Sequence, residues 1–262
     1  MEDRELKLKL LPSTFNENGR YSAGQHLTSF LIDGRVALDA GSLAMAASEN
    51  ERRSVRDIVL THAHLDHIAG LPLFVDDLFA SLTEPIRVHA TREVLEVLER
   101  DVFNWSVYPR FSELHNENGP VLEYRPFTLG SEFSIGGLKF HSIPVDHKVP
   151  SSGFIINDGK AAIAFSGDTS SSAAFWGKVN ERTDVKAVLI ECAFPDRLSE
   201  LAGASHHLTP ATLKAELEQL HLDAQVCVIN IKPMYRDEVI MELRETLDRE
   251  ITIIEPVREY HF

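Results

Sequence analysis

The chain has 262 residues, of which 44% are hydrophobic and 25% are charged. That length and composition lie within the range that α/β folds occupy as one domain. Lysine and arginine number 26 against 40 aspartates and glutamates, and the resulting net charge of −14 opposes long-range attraction to polynucleotides and anionic membranes. We therefore expect one domain over residues 1–262, without a nucleic-acid polymer or a membrane as partner.

The compartment is predicted from the two cysteines and the N-terminal residues. Cys192 and Cys227 lack the spacing of a metal or redox motif, which favours a reducing compartment. The sequence MEDRELKLKLLPS alternates apolar and charged residues like a first strand and lacks the apolar run of a signal peptide. No stretch reaches transmembrane length. These features predict a cytoplasmic protein.

Short apolar stretches between polar or glycine-containing turns predict the first strands. They cover residues 6–11, 28–32, 36–39 and 58–60. Asp39 ends the third strand directly before Ala40 and Gly41, where an aspartate is also a common turn residue.

The fourth strand runs into a cluster of metal-binding residue types. Within six residues the chain carries His62, His64, Asp66 and His67. A helical pattern over 68–79 follows, so the cluster lies on a turn at the carboxyl end of a buried strand, where α/β proteins bind ligands. Imidazole and carboxylate together suit zinc, manganese or iron. Solvated loop histidines are the alternative, which fits one histidine better than three.

A strand over 86–89 and a helix over 91–103, with Thr91 as N-cap, come next. The aromatic and then polar segment 103–120 is interpreted as a surface insertion that covers the active-site mouth. Its aromatic residues could stack on a purine base, but packing onto the core is the favoured interpretation. They are Phe103, Trp105 and Tyr108.

The second half of the chain again places polar residues after strands. Strands over 121–127, 133–135 and 138–145 lead to His147, and a strand over 161–165 leads to Asp168. An aspartate after a glycine at a strand end can offer one oxygen to each of two ions, so Asp168 is the candidate bridging ligand. The small residues after His147, in KVPSSGFII, would let a phosphate approach or would simply turn the chain.

The last elements carry a glutamate at a strand end and two histidines before a helix. A strand over 185–190 delivers Glu191, and His206 and His207 precede a helix that begins after the N-cap Thr209. Histidine titrates near working pH and a carboxylate can hold its tautomer, so Glu191 and His207 could protonate a phosphodiester's leaving oxygen. A strand over 226–231, a helix over 237–250 and a strand over 251–254 close the fold.

The motifs HAHLDHIAGLPL, FNW, FSGDT and ECAF with SHHLTP resemble the metallo-β-lactamase superfamily, in particular its class II cyclic-nucleotide phosphodiesterases. The resemblance, like the strand and helix pattern, implies an α/β fold, a four-layer αββα sandwich. It implies two divalent ions, zinc being favoured over manganese or iron, with Asp39 orienting a histidine behind them. One ion would be held by His62, His64, His147 and Asp168, and the other by Asp66, His67 and Asp168. The related tRNA 3′-processing nucleases suggest the proton-transfer role of Glu191 and His207.

The sequence departs from the family at Asn230, where the pattern T-H-x-K-P usually places a histidine ligand of the second ion. An amide oxygen is a poor replacement for imidazole at a borderline-soft ion, so we expect a weaker second site or a harder ion such as manganese. Alternatively, His206 could move into that place.

We therefore predict a metal-dependent phosphodiesterase of cyclic nucleotides, with 3′,5′-cAMP as first candidate. A water activated by the ions would attack phosphorus in line. The residues assigned to catalysis are His207, Glu191 and Asp66. Alternatives are a tRNA 3′-processing nuclease, a lactone or thioester hydrolase, and a sensor that binds a cyclic nucleotide or a metal without turnover. A homodimer is suggested by analogy alone.

Overall fold

The computed structural model of the protein describes residues 5–262. Its strands are β1 (Lys7–Leu10), β2 (Phe30–Ile32), β3 (Val36–Leu38), β4 (Asp57–Val59), β5 (Ile86–Thr91), β6 (His115–Asn116), β7 (Gly119–Pro120), β8 (Leu122–Phe127), β9 (Glu132–Ile135), β10 (Leu138–Pro144), β11 (Ser152–Asn157), β12 (Ala162–Phe165), β13 (Val185–Glu191), β14 (Gln225–Ile229), β15 (Ile251–Ile253) and β16 (Glu259–His261). Its α-helices are α1 (Leu43–Ala46), α2 (Glu49–Ser54), α3 (Leu65–Ile68), α4 (Leu71–Leu78), α5 (Arg92–Val97), α6 (Ala173–Asn180), α7 (Ser199–Ser205), α8 (Pro210–Leu217) and α9 (Arg236–Thr246).

Two seven-stranded sheets form the centre of the fold. The first has the strand order β16-β1-β2-β3-β4-β5-β8, and the second has the order β15-β14-β13-β12-β11-β10-β9. Strands β3, β4, β5 and β8 are parallel, as are β12, β13, β14 and β15. Because parallel strands end at one edge of a sheet, the loops after β4, β12, β13 and β14 can meet.

Apolar side chains on both faces of each sheet define the layers. The core between the sheets contains Phe30 of the first sheet and Phe140, Phe154 and Phe165 of the second. The outer face of the first sheet packs on α1, α4 and α5, and that of the second packs on α6, α8 and α9. The predicted α/β fold with four αββα layers is confirmed.

The helix predicted over 68–79 corresponds to α4, but Asp66 and His67, which were expected on a turn, lie in a separate short helix, α3, that ends before Ala69 and Gly70. The Gly70 amide donates to the Ala40 carbonyl at 2.9 Å. A Cβ at Gly70 would lie 2.6 Å from that carbonyl oxygen, so the close approach of the two loops requires glycine. Apolar periodicity continues through this break and therefore did not predict it.

Several short elements had no periodic signal. The segment KVPSSGFII was interpreted as a phosphate approach or a turn, but most of it is β11, which pairs with β10 and β12. The segment between β13 and α8, for which no helix was predicted, contains α7. Helix α2 has no buried residue, so apolar spacing could not reveal it. Its capping box of Ser48 and Glu51 was the available signal.

In the segment 103–120, the side chains of Phe103 and Phe111 are buried and their ring centroids lie 5.9 Å apart. Tyr108 packs on Phe111, and its hydroxyl donates to Asp76 Oδ2 at 3.0 Å. Trp105 is exposed. These contacts agree with the core-packing interpretation for Phe103 and Tyr108. The domain boundaries and the covering role of the segment stay predictions.

Two further sequence expectations concern cysteines and the membrane. Cys192 and Cys227 are free, buried thiols. Over residues 5–262, none of the helices combines the length and the apolar character that crossing a membrane requires.

Candidate functional site

The ends of strands from both sheets bring the predicted site residues together. His62, His64 and His67 follow β4 of the first sheet. The second sheet contributes the remaining residues, in loops or at strand ends, namely His147, Asp168, Glu191, His207 and Asn230. The site thus lies at one edge of the sandwich, where the two sheets face each other.

His62, His64 and His147 form the first cluster, with one ring nitrogen of each within 4.8 Å of the others. His147 Nε2 lies 3.2 Å from His64 Nδ1. His62 Nε2 is buried and has no hydrogen-bond partner among the described residues. Three converging imidazoles with an unsatisfied buried nitrogen fit a divalent ion such as zinc.

Burial keeps these histidines neutral, as metal ligands must be. It lowers the pKa of His62 well below the ordinary value, and His67 lowers it further. Burial also lowers the pKa of His147 to about 4. His147 Nδ1 donates to the His206 carbonyl at 3.1 Å, which directs Nε2 into the cluster.

Asp168 lies between the first cluster and His67. Its Oδ2 is 4.0 Å from His62 Nε2 and 3.3 Å from His67 Nε2. Burial alone would raise the pKa of Asp168, but His67 and His62 lower it well below its usual value. The carboxylate is therefore ionised and faces both histidines, the arrangement expected of a bridging ligand. Behind it, Asp39 bonds to His67 Nδ1.

Asp66, His67 and Asp168 border a second position. Asp66 Oδ2 is 4.0 Å from His67 Nε2 and accepts a hydrogen bond from Lys232 Nζ at 3.2 Å. Asn230 donates through Nδ2 to Asp168 Oδ1 at 2.5 Å. The amide nitrogen of Asn230, and not the oxygen expected from the sequence, therefore faces Asp168.

His206 does not enter the second position. Its Nδ1 lies 3.1 Å from Asp146 Oδ1. Its backbone is left-handed, with φ of 57°, and ends α7. His206 contributes to the site through the carbonyl that holds His147, rather than through its imidazole.

The buried Glu191 and the half-buried His207 form a pair beside the first cluster. His207 Nδ1 donates to Glu191 Oε1 at 2.7 Å. The same carboxylate accepts from three backbone amides, those of Thr169, Ala193 and Leu208. Burial alone would lower the pKa of His207, but Glu191 raises it above its usual value. With Nδ1 committed to Glu191, His207 has Nε2 available for a substrate.

Two residues of this site were not identified from the sequence. Thr61 directly precedes His62, and its hydroxyl lies 2.9 Å from His62 Nδ1. Lys232 is the lysine of the family pattern T-H-x-K-P, and its place in that pattern was the signal that could have identified it. Burial alone would lower the pKa of Lys232, but Asp66 and Asp168 raise it, so the side chain carries an ammonium.

Comparisons with known proteins show what this chain is similar to. A probable 3′,5′-cyclic-nucleotide phosphodiesterase of Yersinia pestis is 26% identical over 236 residues, which cover 78% of this chain and 66% of that relative, just under two thirds of its length. The chloroplastic tRNase Z TRZ2 of Arabidopsis thaliana is 25% identical over 140 residues, covering 52% of this chain and 35% of that relative.

A solved structure and a family model identify the fold and the family. The crystal structure of unliganded yeast PDE1 matches with a TM-score of 0.78 at 17% identity and covers 98% of this chain and 99% of that one. An identity this low shows the fold alone. A family model described as the β-lactamase superfamily domain matches residues 29–231. The chain therefore belongs to the β-lactamase superfamily, whose fold is that of metal-dependent hydrolases.

Proposed function

We propose that this protein hydrolyses the phosphodiester of a small cyclic nucleotide, with 3′,5′-cAMP as first candidate. The observation that carries the proposal is the Glu191–His207 pair beside the histidine cluster. One atom each of His147, Asp168 and His207 lie within 4.8 Å of one another, so His207 can act on a group that the cluster binds. The name of the Yersinia pestis relative supports the choice of substrate.

We assign a divalent ion, with zinc as first choice over manganese or iron, to His62, His64 and His147, with Asp168 beside it. A bound ion would acidify a water and offset the charge of the phosphate. Asp66 and His67 border the second position, which we expect to bind an ion more weakly.

In the proposed reaction, a water gives up one proton to the solvent and its oxygen bonds to phosphorus, while the bond from phosphorus to O3′ breaks, giving a 5′-monophosphate; His207 takes a proton from the solvent after each turnover. His207 donates the Nε2 proton to O3′ as that bond breaks. Glu191 fixes the His207 ring through the 2.7 Å bond to Nδ1 and stabilises its positive charge before the proton leaves. Three backbone amides hold the carboxylate, so the imidazole has a fixed direction.

A small substrate is favoured over an RNA by charge, because the net charge of −14 repels a polynucleotide. We also propose a cytoplasmic location, which the two free buried thiols support. By analogy alone, we propose that the protein forms a homodimer.

The experiment compares substrates on one preparation reconstituted with zinc or manganese. It measures conversion of 3′,5′-cAMP to 5′-AMP, 3′-end processing of a precursor tRNA, and hydrolysis of a lactone and a thioester. Conversion of cAMP alone is the expected result. Processing of the tRNA or turnover of another ester, without conversion of cAMP, would overturn the proposal. Saturable cAMP binding without hydrolysis would support the sensor alternative instead.

A further inference from the structure

The chain segment after β14 places two donor side chains at the second position. Asn230 follows the last residue of β14 and has a left-handed backbone, with φ of 56°. The Lys232 amide donates to the Ala193 carbonyl at 3.1 Å, which fixes the segment beyond this bend. One cavity of about 40 Å³ is lined in part by Asp66, His67, Asp168, Asn230 and Lys232. These side chains therefore border the same small space.

Neither of the two donors can bind a metal through the atom it presents. Asn230 presents its amide N–H to Asp168 at 2.5 Å, and Thr28 Oγ1 donates to the Asn230 amide oxygen at 3.4 Å. Lys232 presents an ammonium, which has no lone pair. A ligand must offer a lone pair, and an ammonium also repels a second cation.

The acidic residue at this position is engaged as well. Asp66 Oδ2, the oxygen 4.0 Å from His67 Nε2, is the atom that accepts from Lys232 Nζ at 3.2 Å. A second ion would have to displace Lys232 from that oxygen. If it bound through the other oxygen, Oδ1, it would have Asp66, His67 and Asp168 as ligands, with the Lys232 ammonium beside them repelling it.

We propose that the Lys232 ammonium stands in for the second metal ion, so that this chain binds one divalent ion tightly. The remaining ion belongs to His62, His64 and His147. Lysine is a compact point charge on a flexible stem and binds phosphate well. Lys232 would leave Asp66 for the substrate phosphate and offset its charge beside the single ion. The inference concerns the metal site and does not depend on which ester is hydrolysed.

Metal stoichiometry tests the proposal without any substrate. Chelator-stripped full-length protein is titrated with zinc against a chromophoric chelator, and bound zinc is counted by mass spectrometry after desalting. We expect one tight zinc per wild-type chain. In the double variant Asn230→His with Lys232→Met, the count should rise to two. Two zinc ions of similar affinity in the wild type, or one in the double variant, would overturn the proposal.

Single variants locate the ion and the effect of the charge. Asp66→Asn should keep the single zinc, whereas His64→Ala should release it. Lys232→Met alone should tighten a second zinc by at least about tenfold, because it removes the unit charge that is bonded to Asp66 at the border of the position. Lys178→Met is the matched control, since Lys178 pairs with Glu181 on the surface of α6. Equal tightening in both lysine variants would contradict the assignment.

Circular dichroism and thermal unfolding of each variant separate loss of metal from loss of fold. The number of zinc ions bound per wild-type chain tests the proposal without any variant, so the test stands even if a variant unfolds. A chain that binds one zinc and hydrolyses no cyclic nucleotide would refute the proposed function alone. A chain that binds two and hydrolyses cAMP would refute this inference alone.

Discussion

Asp39 Oδ2 lies 2.7 Å from His67 Nδ1, and both side chains are buried. The same carboxylate accepts from the amide and the hydroxyl of Thr61, each at 2.8 Å. Because the only hydroxyl proton of Thr61 goes to Asp39, Thr61 Oγ1 must accept from His62 Nδ1, which is 2.9 Å away. One carboxylate therefore directs Nε2 of both His62 and His67 into the site.

Asp39→Asn should weaken zinc binding by about 10- to 100-fold, the usual effect of removing a group that orients a metal ligand. An amide has one acceptor oxygen, so if that oxygen still accepts from the Thr61 amide, an NH2 donor replaces the oxygen that faces His67 Nδ1. The measurement is zinc affinity, determined by competition with a chelator. Cooperative thermal unfolding of the same preparation shows that the variant is folded.

The control for this variant is Asp57→Asn. Asp57 Oδ1 also bonds to a histidine, His89 Nε2 at 2.8 Å, and the carboxylate bonds to Arg87, but this cluster joins β4 to β5 away from the metal ligands. Asp57→Asn should lower the free energy of unfolding and leave zinc affinity unchanged. Equal loss of zinc affinity in both variants would show that Asp39 acts through general stability.

His207→Ala should lower turnover by about 10²- to 10⁴-fold, the range for loss of a general acid, and should leave the bound zinc in place. The measurements are kcat with cAMP and the zinc content of the same preparation. His221→Ala, at an exposed histidine, is the control and should change neither. If zinc content falls in parallel with turnover, His207 is a metal ligand.

His206→Gly should keep the metal content of the wild type. The group that holds His147 is the His206 carbonyl, which glycine retains, and glycine adopts the positive φ of 57° more readily than histidine. The measurement is zinc stoichiometry. Loss of zinc would mean that the His206 imidazole reaches the site, as one alternative from the sequence supposed.

Gly41→Ala should destabilise the protein by at least about 2 kcal/mol, because overpacking in a well-packed region forces the backbone to move. A Cβ at Gly41 would lie 1.9 Å from the Asp66 carbonyl oxygen. Gly177→Ala is the control, since a Cβ there meets nothing within 4 Å. It should stabilise α6 by about 0.5–1 kcal/mol. Denaturant unfolding measures both, and equal stability of the two variants would contradict the steric argument.

The sequence predicted the site best where a ligand follows a buried strand. His62, His147 and Asp168 each come within three residues of the end of an apolar run, so periodicity places them at the ends of strands. The four layers follow from the same alternation of apolar strands and helices. Strands, helices and the metal-binding residue types that follow them could therefore be predicted from the sequence, because they depend on local patterns.

Contacts between residues that are far apart in the sequence could not be predicted. Lys232 and Asp66 are separated by 166 positions, and nothing in the local pattern of either predicts their bond. The orientation of the Asn230 side-chain amide depends on the left-handed backbone of this residue and on its hydrogen bond to Asp168. The sequence reveals neither. The role of His206 depends on a backbone carbonyl, which every residue type has. Such features require the folded arrangement of both sheets.

The first cluster takes His62 and His64 from one sheet and His147 from the other. Whatever binds all three therefore joins two layers that are already held together by apolar packing and by polar contacts such as that of Lys232 with Asp66. Its binding free energy adds to the cohesion between the layers, because the unfolded chain has no preformed cluster. Chelation should consequently speed amide hydrogen exchange most in the loops after β4 and β10. Amides of the core around Phe140 and Phe154 should keep their protection from exchange. Loss of the metal would then open the sandwich locally, at the edge that carries the site.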